Sequence, residues 1–282
     1  MPELPEVESV RRVLAPEIEG RELEGALFRR ADLRWPMPQA KIKANVGQRL
    51  LRIQRRGKYL IFLFERGAPW SFVAHLGMSG KLLLDEPGQP RWRLHEHYRL
   101  RFAGRLLRYV DPRRFGALLV AGAGEEHAHP LLAKLGPDPF EAAADADWLF
   151  GRAQGRSASV KCFLLDSRVI AGVGNIYANE ALFAAGIDPR AQAGNLGRSD
   201  CQRLLAALRQ VMAAALEVGG TTLRDHVDAH GEPGWFQLQL AVYGRAGQPC
   251  HRCGGELVEL RQSGRQTCFC PACQRQPKRS GA

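Results

Sequence analysis

The chain has 282 residues, 45% hydrophobic and 24% charged, enough for about two domains with buried cores and too ordinary in composition for wholesale disorder. Tyr59–Phe64, the longest uncharged apolar run of the first half, is too short to span a bilayer. The acidic start MPELPEVE also lacks the basic-then-apolar order of a secretion signal, so a soluble protein with no export address is expected.

Pro5 followed by Val7, Val10, Leu14 and Ile18 has helical spacing, with Pro tolerated in the first turn and Gly20 as a stop. From about residue 22 the period changes. Leu50–Ile53, Tyr59–Phe64, Ser71–Leu76, Tyr98–Phe102, Leu106–Val110 and Ala117–Val120 are short β-rich runs, separated by Gly, Pro and charged turns at sandwich or barrel intervals. Residues 1–122 are therefore expected to form one helix followed by an all-β domain. The segment 123–138 reads as a linker carrying one short helix. Over 139–236 the pattern is helical: Asn175 could open a helix closed by Gly186, and Ser199 and Gln202 have capping-box spacing ahead of Leu204, Leu205, Leu208, Met212 and Leu216. A small module is expected over 237–275, and 276–282 is a basic tail.

Forty Lys and Arg against 29 Asp and Glu leave a net charge of +11, which points to a polyanionic partner. The charge is clustered. Lys41–Lys58 holds seven basic residues and no acid, Arg91–Arg114 eight against two, and the stretch from Arg245 onward seven against two. These clusters exceed the whole surplus and favour nucleic acid over a merely solvated face. Five of the seven cysteines lie between Cys250 and Cys273. Cys250-x2-Cys253 and Cys270-x2-Cys273, sixteen residues apart, match four-cysteine zinc spacing. Four protein thiolates leave no open coordination position, so the expected Zn2+ is structural. Cys268 and His251 are substitute ligands that complete the paired spacing less well. Arg265, between the two knuckles, would sit at a hairpin tip within reach of a phosphate.

Removal of Met1 would leave Pro2 as a secondary amine, and an α-amino group titrates near 8. Such an amine attacking an aldehyde-level carbon gives a cationic iminium, an electron sink for elimination. Glu3 could move protons at the same carbon with Glu6 in support. Pro and Glu are equally what any helix start prefers, so residue types alone leave both readings open.

MPELPEVE, RRGKYL (55–60), HLGMSG (75–80), DPRRFG (111–116), GVGNIYANE (172–180), GGTTLRD (219–225) and the four-cysteine finger resemble, in this order and over nearly the whole chain, the formamidopyrimidine-DNA glycosylase family. The resemblance implies an α+β multidomain protein: an N-terminal β-sandwich with a leading helix, a helix–two-turn–helix domain and a C-terminal zinc finger. It also implies a monomeric enzyme of the cytoplasm and nucleoid that acts on double-stranded DNA with oxidised bases or abasic sites. Its expected activity is excision of 8-oxoguanine and formamidopyrimidines, followed by β,δ-elimination.

By position, the resemblance makes Pro2 the nucleophile on the deoxyribose C1′ and Glu3 the proton donor that opens the sugar. Lys58 and Arg265 would contact phosphates and assist elimination. Met78, Arg113 and Phe115 match the trio that fills the gap left by the extruded base. Asn175 matches a phosphate contact, and His95, Arg156 and Lys161 match backbone-contact positions. Thr221–Phe236 resembles a loop over the flipped base, in which His226 and His230 have no assigned role. Two departures stand out: Cys268 occupies a position where an aromatic is usual, and nine residues follow Cys273. The alternatives are an endonuclease VIII-like enzyme for oxidised pyrimidines and a catalytically silent DNA-binding protein.

Overall fold

The structure is a computed structural model and describes residues 2–65, 67–88, 91–221, 228–232 and 234–277. The Pro-Glu start produces the expected helix. Helix α1 runs Leu4–Ile18, with Pro5 in its first turn and a capping box between Glu3 and Glu6. One stripe, Val7, Val10, Leu14 and Ile18, is buried, and each such side chain contributes about 1.5–3 kcal/mol by leaving water.

Eight antiparallel strands follow: β1 (Leu23–Phe28), β2 (Leu50–Arg56), β3 (Tyr59–Phe64), β4 (Trp70–His75), β5 (Lys81–Asp85), β6 (Glu96–Phe102), β7 (Arg105–Val110) and β8 (Ala117–Gly122), with a short helix α2 (Gln39–Lys43) after β1. They form two four-stranded sheets, ordered β2-β3-β4-β8 and β1-β6-β7-β5. Phe62 and Phe72 from the first sheet, Tyr98, Leu100 and Phe102 from the second, and the α1 stripe share one core. This is the expected sandwich with a leading helix. The six predicted runs are all strands. The two that periodicity does not reveal, β1 and β5, are the edge strands of one sheet; Gly25 and a register shift interrupt the alternation of β1. Both exist because β6 and β7 offer them hydrogen bonds, which is tertiary context overriding weak local propensity.

Chain contacts divide the molecule into one unit of Met1–Ala133 with Leu216–Gln237 and another of Lys134–Ala215 with Leu238–Ala282. The second unit contains α3 (Ala146–Ala153), α4 (Val160–Leu164), α5 (Asn175–Ala185), most of α6 (Arg198–Glu217), and a hairpin of β9 (Val258–Gln262) and β10 (Arg265–Phe269). One predicted helix start holds and one shifts: Asn175 opens α5 as expected, whereas α6 begins at Arg198, ahead of Ser199. Gly174 is the cap residue before α5, whose far end is closed, as expected, by Gly186 in the left-handed conformation. In α6, Ser199 lies inside the helix, and the Asp200 carboxylate accepts the Gly197 N–H. The reach-back from the first turn is there, but its acid is two residues earlier than the Ser-Gln spacing suggests. No described helix is long and apolar enough to cross a membrane.

Candidate functional site

Pro2 and Glu3 are buried at the head of α1. Glu6, one turn in, accepts the Glu3 N–H at 2.8 Å with one carboxylate oxygen and the Thr221 N–H at 2.8 Å with the other. It therefore ties the expected catalytic dipeptide to the start of the 221–236 loop. Gly220 makes this approach possible: its φ is +87°, and a Cβ there would press on the Glu6 side chain at 3.0 Å. Residues 222–227, including His226, lie outside the described residues; His230 is exposed, and its N–H goes to Asp228.

Lys58 follows Gly57 in the β2–β3 turn. Arg55 fixes this turn by donating to the Gly57 carbonyl at 3.1 Å and to Glu8 at 3.2 Å. Burial alone would raise the Glu8 carboxyl, but Arg11, Arg55 and Arg12 around it hold it below the ordinary range. His75, at the end of β4, stacks on Tyr59 with ring centroids 4.8 Å apart and accepts the Gly77 N–H. Burial first, then the charges of Lys58 and Arg34, depress its pKa to about 4. The ring beside Lys58 is thus neutral near pH 7. His75 opens the HLGMSG motif, in which the sequence by itself points only to Met78.

Met78, Arg113 and Phe115 are brought together by two nested turns. Gly77 (φ +67°) sits so close to the backbone of Phe115 and Gly116 that no Cβ could stand there. Met78 and Phe115 remain 40% and 45% exposed, which is unusual for large apolar side chains beside a well-filled core, and the Arg113 guanidinium lies 4.8 Å over the Phe115 ring. His95 is exposed in a left-handed turn (φ 60°) ahead of β6.

In the second unit the Gln266 carbonyl collects two side chains. Lys161 Nζ donates to it at 2.5 Å and to Thr267 Oγ1 at 2.7 Å, while Asn175 Nδ2 donates to it at 2.9 Å. Arg265, the adjacent residue, opens β10 at the hairpin tip and is exposed. Lys161 is fully buried, so its ammonium holds the hairpin. The carbonyl and hydroxyl thus both accept from the residue that the family resemblance matches to a backbone-contact position. Arg156 is exposed on the loop after α3. Glu180 carries a further structural role not foreseen: its carboxylate accepts the N–H groups of Ala241, Val242 and Tyr243, binding the finger's lead-in to α5. Burial pushes that carboxyl up.

The sulfur atoms of Cys250, Cys253, Cys270 and Cys273 all lie within 4.8 Å of one another. The Cys253–Cys270 and Cys250–Cys273 separations are 3.5 and 3.9 Å, bracketing the ~3.8 Å edge of a tetrahedron with 2.3 Å Zn–S bonds. The Arg252 N–H also points at Cys250 Sγ. The donor set fits one Zn2+ with no position left for substrate. Cys268 is outside this cluster, buried, with its N–H on Asn179, and His251 is exposed and also outside it.

The protein thus combines a sandwich headed by a buried Pro-Glu helix start with a helical unit bearing a four-thiolate finger. Residues 1–118 match the Formamidopyrimidine-DNA glycosylase N-terminal domain, 135–227 the Formamidopyrimidine-DNA glycosylase H2TH domain, and 247–276 the zinc finger found in FPG and IleRS. The chain is 50% identical to a formamidopyrimidine-DNA glycosylase of Stenotrophomonas maltophilia and 49% identical to one of Pseudomonas aeruginosa, each over 98% of this chain and 100% of the relative. Among solved structures, MutM (FPG) of Thermus thermophilus matches with a TM-score of 0.86 at 42% identity, covering 98% of this chain and 99% of that one. A Lactococcus lactis FPG variant in complex with a Fapy-dG containing DNA matches at 0.89 and 32% identity, covering 98% and 100%. The chain belongs to the formamidopyrimidine-DNA glycosylase family.

Proposed function

We propose that this protein is a bifunctional DNA glycosylase and AP lyase that removes 8-oxoguanine and formamidopyrimidines from duplex DNA through a Pro2 Schiff base. The observation that carries the reading is the Glu6 bracket, which holds Pro2-Glu3 at the head of α1 and fastens the same helix start to Thr221. A helix cap needs the first bond; it has no use for the second. Solved relatives bound to Fapy-dG DNA and to DNA containing a carbocyclic 8-oxo-G support the substrate class.

In this mechanism, loss of Met1 frees the Pro2 nitrogen. Its lone pair forms a bond to C1′ while the glycosidic bond breaks and its electrons leave with the base, which takes up a proton. The nitrogen then expels O4′, protonated by Glu3, and the sugar opens as an iminium. Loss of a C2′ proton and departure of the 3′ phosphate is the β-step; loss of the C4′ proton and departure of the 5′ phosphate is the δ-step. Water then releases Pro2. Lys58 and Arg265 hold the phosphates, and His75 stays neutral beside Lys58 so that the cation has no protonated rival. Met78, Arg113 and Phe115 fill the gap in the duplex, while His95, Arg156 and Asn175 meet the backbone. Lys161 belongs with these backbone contacts and serves them by holding the Gln266 carbonyl next to Arg265. The zinc holds the finger and takes no part in the chemistry.

The proposed division is a catalytic sandwich over 1–122, a linker over 123–138, the helix–two-turn–helix domain over 139–236, the finger over 237–275 and a basic tail over 276–282. The proposed setting is a monomer working on the nucleoid in the cytoplasm. Borohydride trapping on a duplex with one 8-oxoguanine opposite cytosine tests the reading. The expected result is a covalent adduct that peptide mass spectrometry maps to Pro2. Folded, correctly processed protein that gives no adduct even with an abasic duplex would instead establish a silent binder.

A further inference from the structure

Asp111 begins the DPRRFG loop, has no solvent-exposed surface, and is used by nothing in the reaction above. Its Oδ1 accepts the Ser79 hydroxyl at 2.6 Å and the Arg113 N–H at 3.2 Å. Its Oδ2 accepts the Gly116 N–H at 2.9 Å and the Tyr109 hydroxyl at 3.1 Å. A carboxylate has about four acceptor sites, so all are taken and none is left to serve as a base. Three of the four donors come from two separate loops, Ser79 next to Met78 and Arg113 and Gly116 on either side of Phe115, while Tyr109 lies in β7. The Asp111 main chain reaches a third loop by donating its N–H to the His95 carbonyl at 2.9 Å. The Tyr109 hydroxyl fills the space where a Cβ on Gly80 or Gly116 would stand, so both loops close on it with no slack.

We propose that Asp111 is the positioning residue for base extrusion: one buried carboxylate locks the Met78 turn to the Arg113–Phe115 turn, so that the gap-filling side chains enter the duplex as a single preassembled wedge. The inference rests on the functional reading above. Short exposed loops that inserted independently would each lose conformational freedom on binding, and fixing them beforehand removes that cost. The same clamp predicts that Met78 and Asp111 act as one unit, not as two additive contributors.

The test uses the full-length protein and the variants D111N, S79A, M78A and M78A/D111N. In D111N the amide N–H faces the backbone N–H of Arg113 or of Gly116, so the Arg113–Phe115 turn loses a bond; S79A frees only the Met78 turn and serves if D111N fails to fold, as judged by circular dichroism melting. Three readouts are compared: kcat/KM for 8-oxoguanine excision, lyase rate on an abasic duplex, where no base remains to be extruded, and fluorescence of a 2-aminopurine stacked beside an abasic analogue, which reports wedge insertion without chemistry. Expected in D111N is a loss of excision of roughly 10- to 100-fold, a weaker aminopurine signal, and a lyase rate within about threefold of wild type because the Pro2 chemistry is untouched. S79A should move in the same direction by less, and M78A should cost little more once Asp111 is replaced. Folded D111N with unchanged excision and fluorescence, an equal fall in excision and lyase rate, or multiplying losses in the double variant would each overturn the clamp. Wild type that cleaves abasic DNA but excises no oxidised purine would overturn the substrate reading instead, and the aminopurine signal would still decide the clamp.

Discussion

Replacing Glu6 by Gln probes the bracket at the head of α1 with almost no change in shape. The buried carboxylate accepts the Glu3 N–H and the Thr221 N–H, both at 2.8 Å, one on each oxygen. An amide keeps one acceptor and turns the other into an N–H facing an N–H. A buried bond to a charged group contributes about 1.5–3 kcal/mol, and a stranded donor costs about 1–3 kcal/mol. The expected loss is therefore about 2–3 kcal/mol, or a fall of roughly 4–12 °C in the melting of its unit at about 2–4 °C per kcal/mol. Function should suffer more than stability suggests, because whichever bond fails, either the Pro2-Glu3 backbone or the start of the 221–236 loop is released. A displacement of about 1 Å at a reacting group costs on the order of 100-fold. The assay pairs thermal melting with single-turnover borohydride trapping on abasic DNA. Glu6→Gln protein that melts like wild type and traps at the wild-type rate would refute the bracket as a catalytic support.

Zinc removal by chelation, or Cys250→Ser, should abolish tight DNA binding while the N-terminal sandwich keeps its β-sheet signal; unchanged affinity would sink the structural-zinc assignment. Lys161→Met should lower stability but leave the salt dependence of DNA affinity unaltered, whereas Arg156→Ala should reduce the log–log salt slope by about 0.9, the value for one lost phosphate contact. A reduced slope in Lys161→Met would restore that lysine to the DNA surface. His75 predicts a pH dependence. The unfolded chain takes up its proton near 6.5 and the folded one only near 4, so the stabilisation is complete above about 6.5 and is lost as the pH falls through that window, by up to about 3 kcal/mol. Chemical denaturation at pH 7 and pH 4.5 should show this loss, and His75→Asn should remove most of it; an identical pH profile in the variant would disprove the assignment.

What the chain determined locally was legible without a structure. Strand β3 occupies the run Tyr59–Phe64, because alternation and flanking turns are properties of neighbouring residues. The four zinc ligands are equally plain, since metal-ligand spacing is a local constraint, and the Pro-Glu start marks a helix while leaving its chemical reading open. Tertiary structure decided the rest through partners far apart in sequence. Edge strands β1 and β5 exist by pairing with β6 and β7. Lys161 matches a backbone-contact position in the sequence, and only the fold brings Gln266, 105 residues away, to its ammonium. Asp111 stands in the sequence only as the first residue of DPRRFG, and its role emerges when Ser79, 32 positions earlier, arrives on its carboxylate. A sequence displays which groups can donate, accept or carry charge; only the folded chain decides which buried carboxylate or ammonium is consumed in holding the structure and which is left for the substrate.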